Sequence, residues 1–317
     1  MPEPAVLIIS TVVDVATDAV VNSLAERGIR HHRVNTEDYP FDRSLTLDYQ
    51  AARNEGLSFG ATAVSPVSIW YRRLRSPTRP ESMDAGIYDF CLRENRAALL
   101  GGLCGQSVRW MSHPSAVWQA ELKPFQLRVA QDAGFRIPRT IVSNDPVAIR
   151  QAYVDFGPLI VKPVRSGYFK EGDDEFSIFT SLIAEEHLST LDSAKWTPSI
   201  YQELVPKRYD VRVTCVGRRL FSAAIHSQTD PAAVVDWRRT DNPLLPHSRL
   251  DLPVEVSDRV LDLMERLGLS FGCVDLVLTP SNEYVFLEVN PSGQWLWLDD
   301  QLDFGISSAV AAWLARD

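Results

Sequence analysis

Phe286-Leu287-Glu288-Val289-Asn290-Pro291-Ser292-Gly293-Gln294-Trp295-Leu296-Trp297 is the stretch that decides how this chain is read. Upstream stands Gly272-Cys273-Val274-Asp275-Leu276-Val277-Leu278. Together they predict a β-hairpin, residues 273–278 with 283–289, turning at Pro280-Ser281-Asn282. Alternation puts Asp275 on a strand with Val277. It puts Tyr284, Phe286, Glu288 and Asn290 on one face of the second strand, and Val285, Leu287 and Val289 on the other. Asp275, Glu288 and Asn290 are thereby expected to converge. Two carboxylates and an amide carbonyl, with no His or Cys, suit a hard cation such as Mg²⁺ that also carries substrate phosphates. The alternative is a surface hairpin whose polar edge faces water. The apolar flanks argue against it, because such strands rarely carry an acid inward without compensation.

The chain has 317 residues, enough for two domains or one large one. Acids outnumber bases 41 to 32, for a formal charge of −9. A protein that coats nucleic acid needs a basic face, so no nucleic-acid partner is expected. A few local Lys and Arg suffice for a phosphorylated small ligand. Cys91, Cys104, Cys215 and Cys273 form no CxxC pair and read as thiols in a reducing cytoplasm. Met1-Pro2-Glu3-Pro4 lacks the basic start of a signal peptide, and no apolar run is long enough to span a membrane.

Residues 5–10, a helix over 14–27 and a strand over 29–34 read as the opening of a small doubly wound α/β domain. No GxGxxG follows the first strand. Short strands are expected at 44–49, 57–59 and 67–71. The last leads into Arg72-Arg73-Leu74-Arg75, which reads either as an exposed charge cluster or as a loop that faces a carboxylate or phosphate. A helix over 84–101 and a strand at 109–112 precede His113-Pro114, and the first domain boundary is set near 112. Beyond it, one long helix is expected over 114–134, carrying Lys123. Strands are expected at 140–143 and 159–163, around a helix over 145–156. Lys162 ends the second of these strands. Residues 165–174 read as a mobile glycine-bearing loop, 175–180 as a strand and 181–191 as a helix. Then come a strand at 199–205, a hairpin at 209–226, a helix over 257–267, the opening hairpin and a last helix over 307–315.

In order, then, stand Lys123, Lys162, Ser166-Gly167, Gln202-Glu203-Leu204-Val205, Asp210 and Arg212, and Asp275, Glu288 and Asn290. This set resembles the ATP-grasp carboxylate–amine and carboxylate–alcohol ligases. The resemblance covers about residue 114 to the end, and residues 1–112 resemble the pre-ATP-grasp domain that precedes it. Trp70-Tyr71-Arg72-Arg73, Leu122-Lys123-Pro124, Ile225-His226-Ser227-Gln228, Asp236-Trp237-Arg238 and the stretch from Glu288 to Trp295 are similar to the graspetide synthetases, the microviridin-type branch. The glycine loop, Arg165-Ser166-Gly167-Tyr168, departs from the family in having few glycines.

The resemblance implies an α/β protein, α+β in its C-terminal part: a small doubly wound pre-ATP-grasp domain at 1–112, then an ATP-grasp domain at 113–317. Within the latter, a first lobe at 113–198 holds the phosphate loop, and a second at 199–317 holds the hinge and metal site. It implies ATP and two Mg²⁺ ions as cofactors. Lys123 and Lys162 would meet the phosphates, and Gln202, Glu203, Leu204 and Val205 would form the adenine hinge. Asp210 would hold ribose hydroxyls, and Asp275, Glu288 and Asn290 would hold metal. Arg212 and Arg238 would be catalytic, while Arg72, Arg73, Ser292 and Gln294 would contact substrate. The implied activity joins Asp or Glu carboxylates of a ribosomal precursor peptide to Ser, Thr or Lys side chains, releasing ADP and phosphate. The implied partners are the leader segment of that peptide, docking near residues 168–191, and a second copy in a dimer. The competing readings are a ligase that adds an amino acid to a protein or small acceptor, and a fold of this kind that has lost activity. The complete set of lysines, arginines and metal-type residues disfavours the last.

Overall fold

The computed structural model describes residues 2–49, 56–171, 174–240, 242 and 245–316. Contacts divide the chain into two compact units. One comprises Met1–Val117, Gly268–Phe271 and Gln294–Asp317, and the other Trp118–Leu267 and Gly272–Gly293. Residues 294–317, read in sequence as part of the second domain, group with the first unit.

In the first unit, β1 (Pro4–Ser10), α1 (Val15–Glu26) and β2 (His31–Asn35) make the expected strand–helix–strand start. The Asp14 carboxylate caps α1 by accepting from the Thr17 amide. Next come β3 (Leu45–Asp48), β4 (Gly56–Phe59), β5 (Thr62–Tyr71), α2 (Ala85–Cys104) and β6 (Arg109–Trp110). The sheet runs β2-β1-β5-β4-β3, with β6 beside β5. β1 pairs in parallel with β2 and β5, whereas β4 pairs antiparallel with β3 and β5. Val6 to Ile9 are fully buried, as a central parallel strand covered on both faces requires.

The long helix expected at 114–134 is two helices, α3 (Pro114–Ala120) and α4 (Lys123–Asp132). Pro124 has no amide hydrogen to continue a helix and is placed where a new one begins. The second unit continues with β7 (Thr140–Ser143), α5 (Pro146–Phe156), β8 (Leu159–Lys162), β9 (Tyr168–Glu171), β10 (Asp174–Ser177), β11 (Ser181–Ile183) and β12 (Ser199–Glu203). β11-β8-β12-β7 form an antiparallel sheet whose core holds Ile149, Ala152, Leu159 and Tyr201. β9 and β10 form a separate hairpin, so the predicted loop over 165–174 is partly strand. Gly172, Asp173 and the Lys170 side chain, which fall in that loop, lie outside the described residues. The helix predicted over 181–191 is instead β11 followed by a 3-10 run, Glu185–Trp196. Hydroxyls of Ser189, Thr190 and Ser193 donate to carbonyls three residues back, at 2.7, 3.0 and 2.8 Å. Such local bonds compete with α-helical pairing.

The unit closes on a five-stranded antiparallel sheet, β15-β14-β13-β16-β17. Its strands are β13 (Tyr209–Val216), β14 (Arg219–Ile225), β15 (His247–Arg249), β16 (Phe271–Leu278) and β17 (Tyr284–Asn290). Helix α6 (Val254–Arg266) buries Val256, Val260, Leu263 and Met264. In the first unit, α7 (Leu296–Leu302), which the sequence did not suggest, precedes α8 (Ile306–Leu314). Asp299 of α7 caps α8 by accepting from the Ile306 and Ser307 amides. Among the described residues, no helix is long and apolar enough to cross a membrane.

Candidate active site

The hairpin of β16 and β17 forms as read, with the turn held by Thr279 N–H to Glu283 O at 2.9 Å. Its alternation does not. Leu276 pairs with Phe286, and the next pair is Asp275 with Glu288. Leu287 is the extra residue of a bulge, and it joins Val205, Val277 and Val285 in a small apolar cluster. Unbroken alternation would have placed Glu288 with Phe286, across from Val274. The bulge instead carries Glu288 to the face of Asp275. Asn290 pairs with Cys273 on that same face. Its Oδ1 accepts the Ser292 amide at 3.0 Å, folding the chain into a turn after the strand.

α4 serves the site twice from one face, since residues three apart are neighbours on a helix. Lys123 Nζ lies 3.0 Å from Glu288, each side chain about one-fifth exposed. The buried Gln126 amide grips the backbone of Val289, accepting from its N–H at 2.9 Å and donating to its C=O at 2.8 Å. Arg212 on β13 donates from Nη1 to both oxygens of Asp275, at 2.9 and 2.8 Å. Lys162, at the end of β8, is buried. Burial pulls its amine down to about 8; Glu288 opposes this, while Lys123 and Arg238 add to it. The two carboxylates are pushed apart. Burial raises Asp275 against the pull of Arg212, whereas the charges of Lys123, Lys162 and Arg238 outweigh burial and hold Glu288 low. Four cations and two acids therefore share one electrostatic neighbourhood.

Asp236 organises Arg238. Its oxygens accept from Arg238 Nε at 2.9 Å and Nη2 at 2.7 Å, from the Arg238 amide at 3.2 Å, and from the Thr180 amide at 3.1 Å. Burial alone would raise this carboxyl, but the bonds and charge of Arg238 hold it at about 2. The loop around Asp236 is thereby tied to the segment just after β10. The glycine loop is tied there too. Ile178 N–H donates to Gly167 O at 2.8 Å, and a Cβ on Gly167 would lie 2.2 Å from Ile178 O, so only glycine fits.

In the hinge stretch, Gln202 is buried on β12 with Nε2 on Thr140 Oγ1 at 2.9 Å, and its Oε1 has no partner. Glu203 pairs with Arg136 and Arg139. The Leu204 amide donates to Pro158 O at 2.7 Å, and Val205 packs in the cluster with Leu287. Asp210 is buried, with both oxygens on Lys207 Nζ at 2.9 and 2.8 Å and a further bond from Ser227. Arg72, Arg73 and Gln294 belong to the first unit. There Arg72 is 1% exposed, stacks 4.8 Å over Trp295, lies 3.5 Å from Asp14 and donates to Gln294 Oε1 at 3.1 Å. It is a buried cation within this unit, not part of an exposed charge cluster.

Among the described residues, no group of three or more His, Cys, Asp or Glu gathers as a metal site. The donors here are two facing carboxylates and an amide, an oxygen set that fits Mg²⁺. Sequence reasoning passed over Gln126 and Lys207, and took Asp236 only as part of the Asp236-Trp237-Arg238 stretch, without a role of its own. Gln126 and Lys207 carry no motif signal. Asp236 had one, its place two residues before Arg238, where a carboxylate can cap and pair at once.

Residues 5–117 match the family described as the MvdD pre-ATP grasp domain. No curated protein sequence matches the chain. Among solved structures, the chain is similar to a RiPP-associated ATP-grasp ligase of Chryseobacterium gregarium, in complex with ADP and a leader and core peptide. The TM-score is 0.91 at 27% identity, over 98% of this chain and 96% of that one. Two macrocyclases of Microcystis aeruginosa MRC are also similar. MdnC, bound with precursor peptide MdnA, has TM-score 0.87 at 29% identity over 98% and 99% of the two chains. MdnB has TM-score 0.82 at 28% identity over 99% and 100%. The fold is that of an ATP-grasp ligase with a pre-ATP-grasp domain before it. Within that class, the likenesses to ligases of ribosomal precursor peptides support the graspetide synthetase branch.

Proposed function

We propose that the chain is an ATP-dependent macrocyclase of a ribosomal precursor peptide, joining Asp or Glu side chains to Ser or Thr hydroxyls or Lys amines. The observation that carries this reading is the meeting of Asp275 and Glu288 with Lys123, Lys162, Arg212 and Arg238 in the second unit. Such a site suits phosphoryl transfer, which demands positioning and charge neutralisation. A carboxylate oxygen of the peptide attacks the γ-phosphorus of ATP, and ADP leaves. The hydroxyl or amine then attacks the acyl phosphate carbon, phosphate leaves and the attacking group loses its proton. The fixed guanidinium groups of Arg212 and Arg238 stabilise charge that develops on the transferred group and on the acyl phosphate. Lys123 and Lys162 bind ATP phosphates. Asp275, Glu288 and Asn290 would hold Mg²⁺, two ions on this reading, and the metal would offset phosphate charge when bound.

Residues 202–205 line the adenine. Asp210, held by Lys207 and Ser227, would hold the ribose hydroxyls. Ser292 contacts substrate. Arg72 supports Gln294 in a substrate-facing stretch with Arg73. The ADP complex of the similar Chryseobacterium gregarium ligase supports the nucleotide, and leader and precursor complexes support the peptide partner. The leader docks on the β9–β10 hairpin and the residues after it.

The test supplies Mg·ATP and a short Asp/Glu- and Ser/Thr/Lys-bearing candidate precursor peptide, sought in the reading frames beside the gene. Loss of one water per link, with release of ADP and phosphate, is the expected outcome. AMP and pyrophosphate would rule out an acyl phosphate. A peptide that gains the mass of an amino acid would make the chain an adding ligase.

A further inference from the structure

Gly293 follows the strand of proposed metal residues and sits against Arg212. A Cβ built on it would lie 2.8 Å from Arg212 Nη2, 2.5 Å from Cys273 Sγ and 2.6 Å from Cys273 Cβ. Real Cβ atoms do not approach so closely. The φ of Gly293 is not among the positive values, so an alanine could take this backbone. The demand for glycine therefore comes from the neighbours alone.

Those neighbours cannot all give way. Cys273 is fully buried on β16, which lies between β13 and β17 in the sheet, and its Cβ is fixed to that strand. The turn carrying Gly293 is closed by its N–H on Asn290 O at 3.2 Å and by the Ser292 N–H on Asn290 Oδ1. What can move is the guanidinium, whose Nη1 holds Asp275 while Nη2 faces the glycine.

We infer that Gly293 is a positioning residue for Arg212. Its bare Cα lets the turn close over Cys273 and leaves one place for the guanidinium, against Asp275. This inference rests on the proposed role of Arg212. A methyl at 293 would push the guanidinium aside, and a misplacement of about 1 Å can cost about 10²-fold in rate.

The test is a double-mutant cycle of Gly293→Ala and Arg212→Lys, assayed with Mg·ATP and the candidate precursor peptide that the parent enzyme cyclises. Arg212→Lys alone should fall about 10²–10³-fold, because a point charge does not replace a fork. Gly293→Ala alone should lower kcat about 10- to 100-fold with KM for ATP little changed. In the Arg212→Lys background it should cost less than about 3-fold, since the residue it acts through is already lost. Should Gly293→Ala fail to fold, Gly293→Ala with Cys273→Gly opens room beneath the methyl and replaces it in the cycle, against Cys273→Gly alone. Unchanged kcat in the folded variant, or losses that multiply, would overturn the inference. Full activity of Arg212→Lys would instead overturn the proposed role of Arg212.

Discussion

Asp275 and Glu288 face one another across β16 and β17 because one extra residue, Leu287, interrupts the second strand. In the uninterrupted register Asp275 would oppose Leu287, and Glu288 would oppose Val274. The bulge brings two acids together, a pairing that like charge opposes unless cations or metal compensate. Here Lys123 holds one acid and Arg212 the other.

Glu288→Gln tests this compensation. It keeps size and removes the charge that Lys123 pairs with. Ligation should fall at least about 10²-fold while the protein melts as a folded species. Near-normal turnover would remove Glu288 from the metal site.

Gln126→Ala tests the clamp on β17. It leaves the Val289 N–H and C=O buried without their partner. Each such group costs about 1–3 kcal/mol, so denaturant unfolding should show a loss of about 2–4 kcal/mol, with a lower rate because Glu288 and Asn290 flank the freed residue. Stability within about 0.5 kcal/mol of the parent would mean that the strand holds its place unaided.

Asp236 gives a pH signature. Its folded carboxyl lies at about 2, below the ordinary aspartate value of about 4. Its contribution is therefore complete above about pH 4 and is lost as pH falls toward 2. Asp236→Asn should cost about 2 kcal/mol at pH 7, a difference that shrinks between pH 4 and 2. A constant difference across that window would show that the charge is not what Asp236 contributes.

Lys162 gives another at the opposite end. Burial places its amine at about 8, below the ordinary lysine value, so the unliganded protein loses this charge as pH rises through 8. ADP affinity measured calorimetrically in Mg²⁺ should weaken by up to about 10-fold between pH 7 and 9, with proton uptake on binding. Lys162→Met should bind more weakly and without this trend. A pH-independent parent would contradict phosphate binding by the Lys162 ammonium.

The hairpin, the strand-end Lys162 and the opening strand–helix–strand were legible because each rests on local pattern: alternation, an apolar run, a cap. The bulge was not. Leu287 is as apolar as its neighbours, so nothing in the sequence separates an extra residue from a regular one. The burial of Arg72 was not legible for a related reason. Its burial depends on Trp295 and Gln294, more than two hundred positions away. Gln126 escaped because a glutamine on an amphipathic helix looks like any solvated one until Val289 is set beside it.

The leader surface can be drawn more closely than residues 168–191. Tyr168, Phe169 and Phe176 of the β9–β10 hairpin are exposed, and Phe169 stacks on Phe176 with centroids 5.1 Å apart. Ile178 and Leu182 continue the exposed apolar surface, whereas Leu188 packs on the core around Ile149. The base of the hairpin is bound to the rest of the site: Ile178 to Gly167, then Thr180 to Asp236, which holds Arg238. A leader seated on these aromatic rings would therefore act at a distance from the reacting groups, and such binding energy can be used to orient them. Phe169→Ser with Phe176→Ser should weaken leader affinity at least about 10-fold and abolish the rise in turnover when leader is added in trans. Turnover of core peptide alone should stay at the parent level. Leu188→Ser should instead lower the melting temperature, because it opens the core. Leader affinity and stimulation unchanged in the folded double variant would place the leader elsewhere.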